Sequence, residues 1–209
     1  MEGKKFPTRR FVVMMAGLII MAFGISLFKF SLTGNDPCNA LFLATSSFLG
    51  IDYSVCGLAM NVFYFVFEIW LFRKHIGIGT FANWFCVVPV AEFIMRSLTP
   101  VLPVADTLAL KLMYLVPGVL VLSLSVSMYQ SADLGIAPYD ALAMILSERT
   151  KLPYFGARII TDGVCALVTY LLGGLIGLGT LICAFGLGPF VTFFDRTVSR
   201  PLLGMKGER

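Results

Sequence analysis

The sequence predicts an all-α polytopic membrane protein with six transmembrane helices and two short re-entrant or interfacial helices, arranged as two inverted repeats. Three observations support this fold class: an apolar composition, a second half that repeats the first, and a one-sided distribution of basic residues. Hydrophobic residues make up 58% of the 209 residues and charged residues 13%, whereas a soluble domain carries about 25% charged residues. We therefore expect a single membrane domain over residues 1–209, with no separate soluble domain.

The duplication is visible as landmarks that recur in the same order in residues 10–98 and 109–197. The corresponding pairs include Gly34 and Gly135, Pro37 and Pro138, Tyr53 and Tyr154, Asn61 and Asp162, Gly77 and Gly177, and Pro89 and Pro189. A duplicated multi-spanning unit is a common ancestor of membrane transporters. Residues 10–98 and 109–197 are therefore predicted to be two copies of one structural unit.

Long apolar runs predict the membrane spans. They lie near residues 11–32, 54–72, 79–96, 110–131, 155–174 and 177–194. The segments 38–49 and 139–147 are too short to cross comfortably at a rise of about 1.5 Å per residue. If these segments do not cross, each copy crosses the membrane an odd number of times, and the second copy is inverted relative to the first.

The basic residues favour the same arrangement. With the amino terminus in the cytoplasm, six crossings leave most Lys and Arg on the cytoplasmic side, as the positive-inside rule requires. The cytoplasmic group comprises Lys4, Lys5, Arg9, Arg10, Arg73, Lys74, Arg149, Lys151, Arg158, Arg196, Arg200, Lys206 and Arg209. Only Lys29, Arg96 and Lys111 fall near the outside. We therefore expect both termini in the cytoplasm and residues 11–32 as a first span, since this segment has an internal counterpart.

Each short segment begins with a proline, which suits the first turn of a helix. A carboxylate at such an end stabilises the exposed N–H groups and the positive end of the helix dipole. The alternative is that two broken half-helices direct their amino-terminal ends at a solute site. The candidate residues are Asp36, Pro37 and Asn39 in the first copy and Pro138 and Asp140 in the second.

Asn61 and Asp162 occupy equivalent positions about two turns into predicted helices. An ionisable group at membrane depth is costly and usually faces a bundle interior or a wet cavity. Arg158 precedes Asp162 by four residues, so both lie on one helical face. A structural ion pair and a role in substrate contact or coupling are both open. Proton coupling through Asp162 is one hypothesis.

Glu92 and Arg96 repeat the four-residue spacing of acid and base near an outer helix end. Arg196 is the counterpart of Arg96 and lies beside Asp195 at the inner end. These residues either anchor the helices, with long side chains reaching the interface, or form gate contacts.

Other chemistry has little support. The five cysteines lie in or beside apolar segments without metal-ligand spacing, and we expect them to be small buried residues. The sequence has one histidine and lacks the HExxH and GxSxG motifs. Each Gly-x-Gly-Thr sequence, at Gly77–Thr80 and Gly177–Thr180, is interpreted as a tight turn with a capping Thr. We expect no enzyme activity, no catalytic residue, no metal, no cofactor and no nucleic-acid partner.

The second half contains Gly135-Ile-Ala-Pro138-Tyr139-Asp140, followed by Gly177-Leu-Gly179-Thr180 and Gly188-Pro189. This pattern resembles the YczE/YitT-like family of bacterial integral membrane proteins. The first half matches more loosely, and Tyr139 stands where the family usually has Trp. The resemblance implies a multi-spanning protein of the bacterial cytoplasmic membrane, and it implies more about fold than about function.

We expect a small transporter or channel for a small polar or charged solute, with a site between the inverted repeats. The alternative is a non-transporting membrane scaffold, accessory subunit or regulator of a partner protein. The expected partners are the lipid bilayer and an unidentified solute, and a homo-oligomer or a protein partner stays open. The sequence does not distinguish between transport and scaffolding.

Overall fold

The computed structural model describes residues 8–34, 36–72 and 76–205, and in these residues the secondary structure consists of helices joined by turns and loops. Lys4, Lys5, Arg73, Lys74, His75, Lys206 and Arg209 lie outside these residues. The described helices are α1 (Thr8–Phe30), α2 (Pro37–Leu49), α3 (Tyr53–Phe72), α4 (Ile78–Leu98), α5 (Leu108–Ser131), α6 (Pro138–Thr150), α7 (Tyr154–Leu171) and α8 (Leu178–Leu203). We call α1–α4 the first half and α5–α8 the second half.

The helices and turns of the two halves recur in the same order. The short helices α2 and α6 each contain 13 residues and each begin with a buried proline. The turns before them share an uncommon backbone: Leu32 and Asp133 have φ of 50° and 54°, and Gly34 and Gly135 have φ of 118° and 119°. Glycine occupies positions 34 and 135 because a residue with a side chain would be strained at a φ near 118°. The two turns therefore have the same geometry as well as similar sequences.

Helices α1 and α5 pack closely against each other along their lengths. A Cβ atom added to Gly17 would lie 3.1 Å from the Tyr129 backbone nitrogen, and one added to Gly118 would lie 3.0 Å from the Phe28 nitrogen. Since residue numbers rise along α1 as they fall along α5, the two equivalent helices are antiparallel. Their contact forms the main apolar core.

The amino-terminal ends of α4 and α8 each contact the loop before the other half's short helix. The Gly79 amide donates to the Leu134 carbonyl at 2.8 Å, and the Gly179 amide donates to the Thr33 carbonyl at 3.0 Å. A Cβ atom on Gly77 would lie only 2.2 Å from the Leu134 oxygen. The sequence predicts the turn and the Thr80 contact, since the Gly77 amide donates to Thr80 Oγ1 at 3.3 Å. The sequence does not predict the reciprocal hydrogen bonds of Gly79 and Gly179 with the opposite half.

Helices α2, α3, α6 and α7 form a second group in which each short helix packs on a helix of the other half. α2 contacts α3 and α7, while α6 contacts α7 and α3. Buried Cys38, Phe42 and Tyr64 form the apolar centre of this group. Four of the five cysteines are buried, as expected for small apolar residues.

Four described helices are long and apolar enough to cross a membrane by length and composition: α1, α4, α5 and α8. The other two predicted spans correspond to α3, whose apolar stretch is Val55–Trp70, and to α7. Helix α7 has 18 residues and contains Arg158 and Asp162 in its first half. The four long helices pack against one another, and the α2, α3, α6 and α7 group lies beside them, joined mainly by the packing of α7 on α8.

Candidate functional site

A buried charged cluster lies where α6 packs on α7. Arg158 Nε donates to Asp162 Oδ2 at 3.2 Å, at the predicted four-residue spacing. The same guanidinium donates through Nη1 to Asp140 Oδ1. Asp162 is fully buried, and Asp140 and Arg158 are 8% and 7% exposed. The arginine therefore joins two carboxylates from different helices.

Two tyrosines complete the cluster. The Tyr129 hydroxyl donates to Asp140 Oδ2, and the Tyr139 hydroxyl donates to Asp162 Oδ1. The Arg158 guanidinium carbon also lies 5.0 Å from the centre of the Tyr139 ring, a cation–π contact. All four carboxylate oxygens therefore have a hydrogen-bond partner.

Sequence reasoning missed the role of both tyrosines. A buried tyrosine usually finds a partner for its hydroxyl, so Tyr139, next to Asp140, carried a usable signal. Tyr129 carried none, because no sequence spacing relates it to Asp140 across the turn that joins α5 to α6.

The cluster has one more acid than base. If Asp140 and Asp162 are both ionised, Arg158 leaves one net negative charge in a buried position, since arginine stays protonated in proteins. An uncompensated charge at membrane depth is costly. One added proton would neutralise the cluster.

The first half has neutral residues at the equivalent positions. Asn39 replaces Asp140, Gly57 replaces Arg158 and Asn61 replaces Asp162. The predicted cap is present: Asp36 Oδ1 accepts from the Asn39 amide at 3.1 Å. Asp36 Oδ2 also accepts from Asn39 Nδ2 at 2.6 Å, and the Tyr53 hydroxyl donates to Asn39 Oδ1 at 2.9 Å.

The predicted pair Asn61 and Asp162 is not joined. Asn61 is half-exposed on α3, and both Asp162 oxygens are occupied by Arg158 and Tyr139. The two prolines at the short-helix ends, Pro37 and Pro138, are buried. Asp140 is at the third position of α6 as predicted, but its side chain bonds Arg158 and Tyr129 instead of capping the helix.

The remaining predicted residues lie at exposed positions near helix ends. Glu92 and Arg96 are both exposed, and no ion pair joins them. Arg196 is exposed too. Asp195 pairs with Arg200, at 2.7 Å from Nε to Oδ2, rather than with the adjacent Arg196. The sequence does not predict the Asp195–Arg200 pair. Residues 195–199 are π-helical, and in a π-helix each residue lies beside the residue five positions later.

A cavity of about 450 Å³ lies between α5, the start of α7 and the last turns of α8. Its charged and polar lining includes Gln130, Ser131, Tyr154, Asp195, Arg196 and Arg200. Gln130 Nε2 donates to the Tyr154 hydroxyl at 3.1 Å. All lining residues belong to the second half or to the short segments that flank its helices. Of the residues predicted for a site, Arg196 lines this cavity.

Glu68 in α3 is a further buried acid. Its side chain is fully buried, and neither carboxylate oxygen has a hydrogen-bond partner among the described residues. Its counterpart Thr169 instead donates to the Cys165 carbonyl at 2.7 Å. Thus the first half also contains a buried acid, but one that pairs with no arginine of the described residues.

The DUF6198 family, described as a family of unknown function, matches residues 8–196. The chain belongs to this family. A Bacillus subtilis relative, the uncharacterized membrane protein YczE, is 26% identical over 185 residues, which cover 88% of this chain and 84% of YczE. This similarity confirms the resemblance to YczE-like proteins.

Two other relatives of this DUF6198 member are similar over most of their length. An uncharacterized Haemophilus influenzae protein is 24% identical over 189 residues, 90% of this chain and 84% of that protein. The uncharacterized Bacillus subtilis protein YyaS is 23% identical over 190 residues, 90% of this chain and 92% of YyaS. No solved structure matches the chain. Together with its long apolar helices, these relatives identify the chain as a helical membrane protein.

Proposed function

We propose that this protein is a small transporter of the bacterial cytoplasmic membrane that couples movement of a polar or charged solute to protons. The observation that carries the proposal is the buried cluster of Asp140, Arg158 and Asp162, with two acids and one base. Such a group is expensive at membrane depth, and intramembrane ionisable residues commonly belong to proton relays or solute paths. The proposal does not name the solute.

The proposed topology has six spans, inverted halves and both termini in the cytoplasm. The antiparallel packing of α1 on α5 supports inversion, and so do the reciprocal contacts of Gly79 and Gly179 with the opposite half. Counting α3 and α7 as spans gives each half three crossings. Inverted halves that rock about a central site are a common basis of alternating access.

The proton would act on the link between α6 and α7. Protonation of Asp162 would replace the charge-assisted bond that its carboxylate accepts from the Tyr139 hydroxyl of α6 with a weaker bond between neutral groups, because a bond with one ionised partner is roughly twice as strong as a neutral one. The cluster would then have two charge states with different bonding across α6 and α7. A solute that prefers one state shifts the population of both. Asn61, Asp36 and Asn39 are the proposed solute contacts of the first half.

Transport can be tested by recording currents from proteoliposomes on a solid-supported membrane. The solutes would be a sulfonate, a quaternary amine, a zwitterionic amino acid and a neutral sugar, each with and without a pH gradient. We expect one class to give a gradient-dependent current that is lost in the Asp140→Asn/Asp162→Asn double variant. Asp106→Asn serves as the control, because this exposed acid lies between the two halves and outside both the cluster and the proposed solute contacts. Folded protein without a current for any class would contradict the proposal.

The second candidate is a scaffold without transport. It is favoured by the complete hydrogen bonding of Asp140 and Asp162, since polar groups also hold membrane helices together. A membrane-impermeant thiol reagent, applied to Asn61→Cys or Asp162→Cys in a Cys-free background, separates the candidates. Labelling at either position indicates a water path to membrane depth and supports transport. Protection of both, with reactive surface controls, supports the scaffold.

A further inference from the structure

The cavity in the second half has an excess of positive charge. Its charged lining consists of Asp195, Arg196 and Arg200. Asp195 is fully engaged: Oδ2 accepts from Arg200 Nε at 2.7 Å and Oδ1 accepts from the Ser131 hydroxyl at 2.7 Å. No acid of the described residues forms an ion pair with Arg196. Among the described residues, one cationic charge therefore remains uncompensated at the wall.

The hydrogen-bonding groups of the cavity wall also favour a negatively charged ligand. Gln130 Nε2 donates to the Tyr154 oxygen, so the hydroxyl hydrogen of Tyr154 is not used in that bond and can be donated. Arg200 uses Nε for Asp195, which leaves its terminal N–H groups available. In the part of this wall that the structure describes, donors without partners outnumber acceptors without partners, as an anion requires.

The rest of the wall is apolar. Met144, Phe155 and Val191 line the cavity beside the charged group. A volume of about 450 Å³ lies within the range of about 300–1,000 Å³ that is typical of small-molecule sites. A ligand that fills this space has an apolar body and carries its charge at one end.

We propose that this cavity binds a small organic monoanion, with the negative charge at Arg196, Arg200 and the Tyr154 hydroxyl and the apolar body against Met144 and Phe155. The inference rests on the proposed transport function only in taking this anion as the solute. Two sources share the chemistry: a soluble organic anion, or the phosphate headgroup of an anionic lipid at the end of α8. The net charge of +1 on the three charged side chains matches one negative charge.

Binding would be measured by calorimetry on the purified full chain in phosphatidylcholine nanodiscs. The probe is benzenesulfonate, which stays ionised and pairs one charge with an apolar ring, and neutral benzenesulfonamide is the matched ligand control. We expect binding of the sulfonate only. Since a charge-assisted hydrogen bond is worth about 1.5–3 kcal/mol, Arg196→Gln should weaken the affinity about tenfold or more.

The matched protein control is Arg96→Gln. Arg96 is the exposed first-half counterpart of Arg196 and does not line the cavity, so its removal should leave the affinity unchanged. Tyr154→Phe removes one donor without changing charge and should weaken binding less than Arg196→Gln. Equal binding of sulfonate and sulfonamide, or an Arg196→Gln affinity equal to that of the wild type, would overturn the inference.

Adding phosphatidylglycerol to the nanodiscs separates the two sources. Competition that weakens benzenesulfonate binding supports the lipid headgroup, and unchanged binding supports a soluble anion. The failures of the two proposals are also distinct. A solute current without sulfonate binding overturns the assignment of the cavity alone, whereas sulfonate binding without any current overturns transport alone.

Discussion

The two halves share their helices and turns but differ in charge at the three positions that make up the buried cluster of the second half. The pairs are Asn39 and Asp140, Gly57 and Arg158, and Asn61 and Asp162. In the second half these residues form a buried ionic cluster, while in the first half Asn39 bonds the Asp36 cap of α2 and accepts from the Tyr53 hydroxyl. The comparison teaches that a duplicated backbone can be retained while its ionic chemistry is kept in one copy.

The largest difference is expected at Arg158. Arg158→Met leaves Asp140 and Asp162 buried without their cation, and breaking a buried ion pair in this way costs about 3–5 kcal/mol of unfolding free energy. The counterpart change, Gly57→Ala, should be neutral or slightly stabilising, because its Cβ would meet only the Phe42 ring, at 3.7 Å. Unfolding in detergent, followed by circular dichroism, measures both.

A triple variant isolates the cause of the Arg158 effect. Arg158→Met combined with Asp140→Asn and Asp162→Asn removes the uncompensated charges, so it should recover part of the stability lost in Arg158→Met alone. If the triple variant is no more stable than the single one, the charges do not determine the loss.

The two halves should lose similar stability when Gly77 or Gly177 is substituted, because each glycine packs against a loop of the opposite half. An added Cβ would lie 2.2 Å from the Leu134 oxygen in Gly77→Ala and 1.9 Å from the Thr33 oxygen in Gly177→Ala. Each change forces backbone to move, so we expect a loss of about 1–3 kcal/mol in both, as in overpacked cores. Gly163→Ala is the control, since nothing lies within 4 Å of its added Cβ. A response in only one half would break the structural equivalence.

A smaller asymmetry is expected at Tyr129, whose first-half counterpart is Phe28. Tyr129→Phe deletes the hydroxyl that donates to Asp140 Oδ2, and leaving a buried acceptor without a partner costs about 1–3 kcal/mol. The converse change, Phe28→Tyr, adds a buried hydroxyl where Asn39 replaces the acid and should gain nothing. Thermal unfolding of the two variants tests this, and equal stability of Tyr129→Phe and wild type would argue against the hydrogen bond.

The smallest effect concerns the caps of the short helices. Asp36 caps α2, whereas Ala137 leaves α6 without a side-chain cap. Asp36→Ala should cost about 1 kcal/mol, the typical value of a cap. Ala137→Ser gives α6 a residue that can cap it and should raise its stability. The unfolding midpoint measures both variants. An unchanged midpoint in Asp36→Ala would show that the cap is not needed.

Local chemistry made part of this structure predictable. Apolar runs located the helices, the prolines located the starts of α2 and α6, and the four-residue spacing placed Arg158 beside Asp162. The third member, Asp140, joins them only because α6 packs on α7, which no spacing reveals. The Asp195–Arg200 pair depends on a π-helical segment, so an α-helical spacing of three or four residues does not reveal it.

Infrared difference spectroscopy across a pH titration would show directly whether the second-half cluster takes up a proton. The protein would carry Glu68→Gln, so that this buried acid adds no signal. We predict a pH-dependent carboxylic acid band that is lost in Asp140→Asn or Asp162→Asn and kept in Asp36→Asn. Two results would contradict this prediction: a titration without such a band, or a band that is unchanged in both cluster variants. Either result would mean that the cluster stays ionised and only holds the helices together.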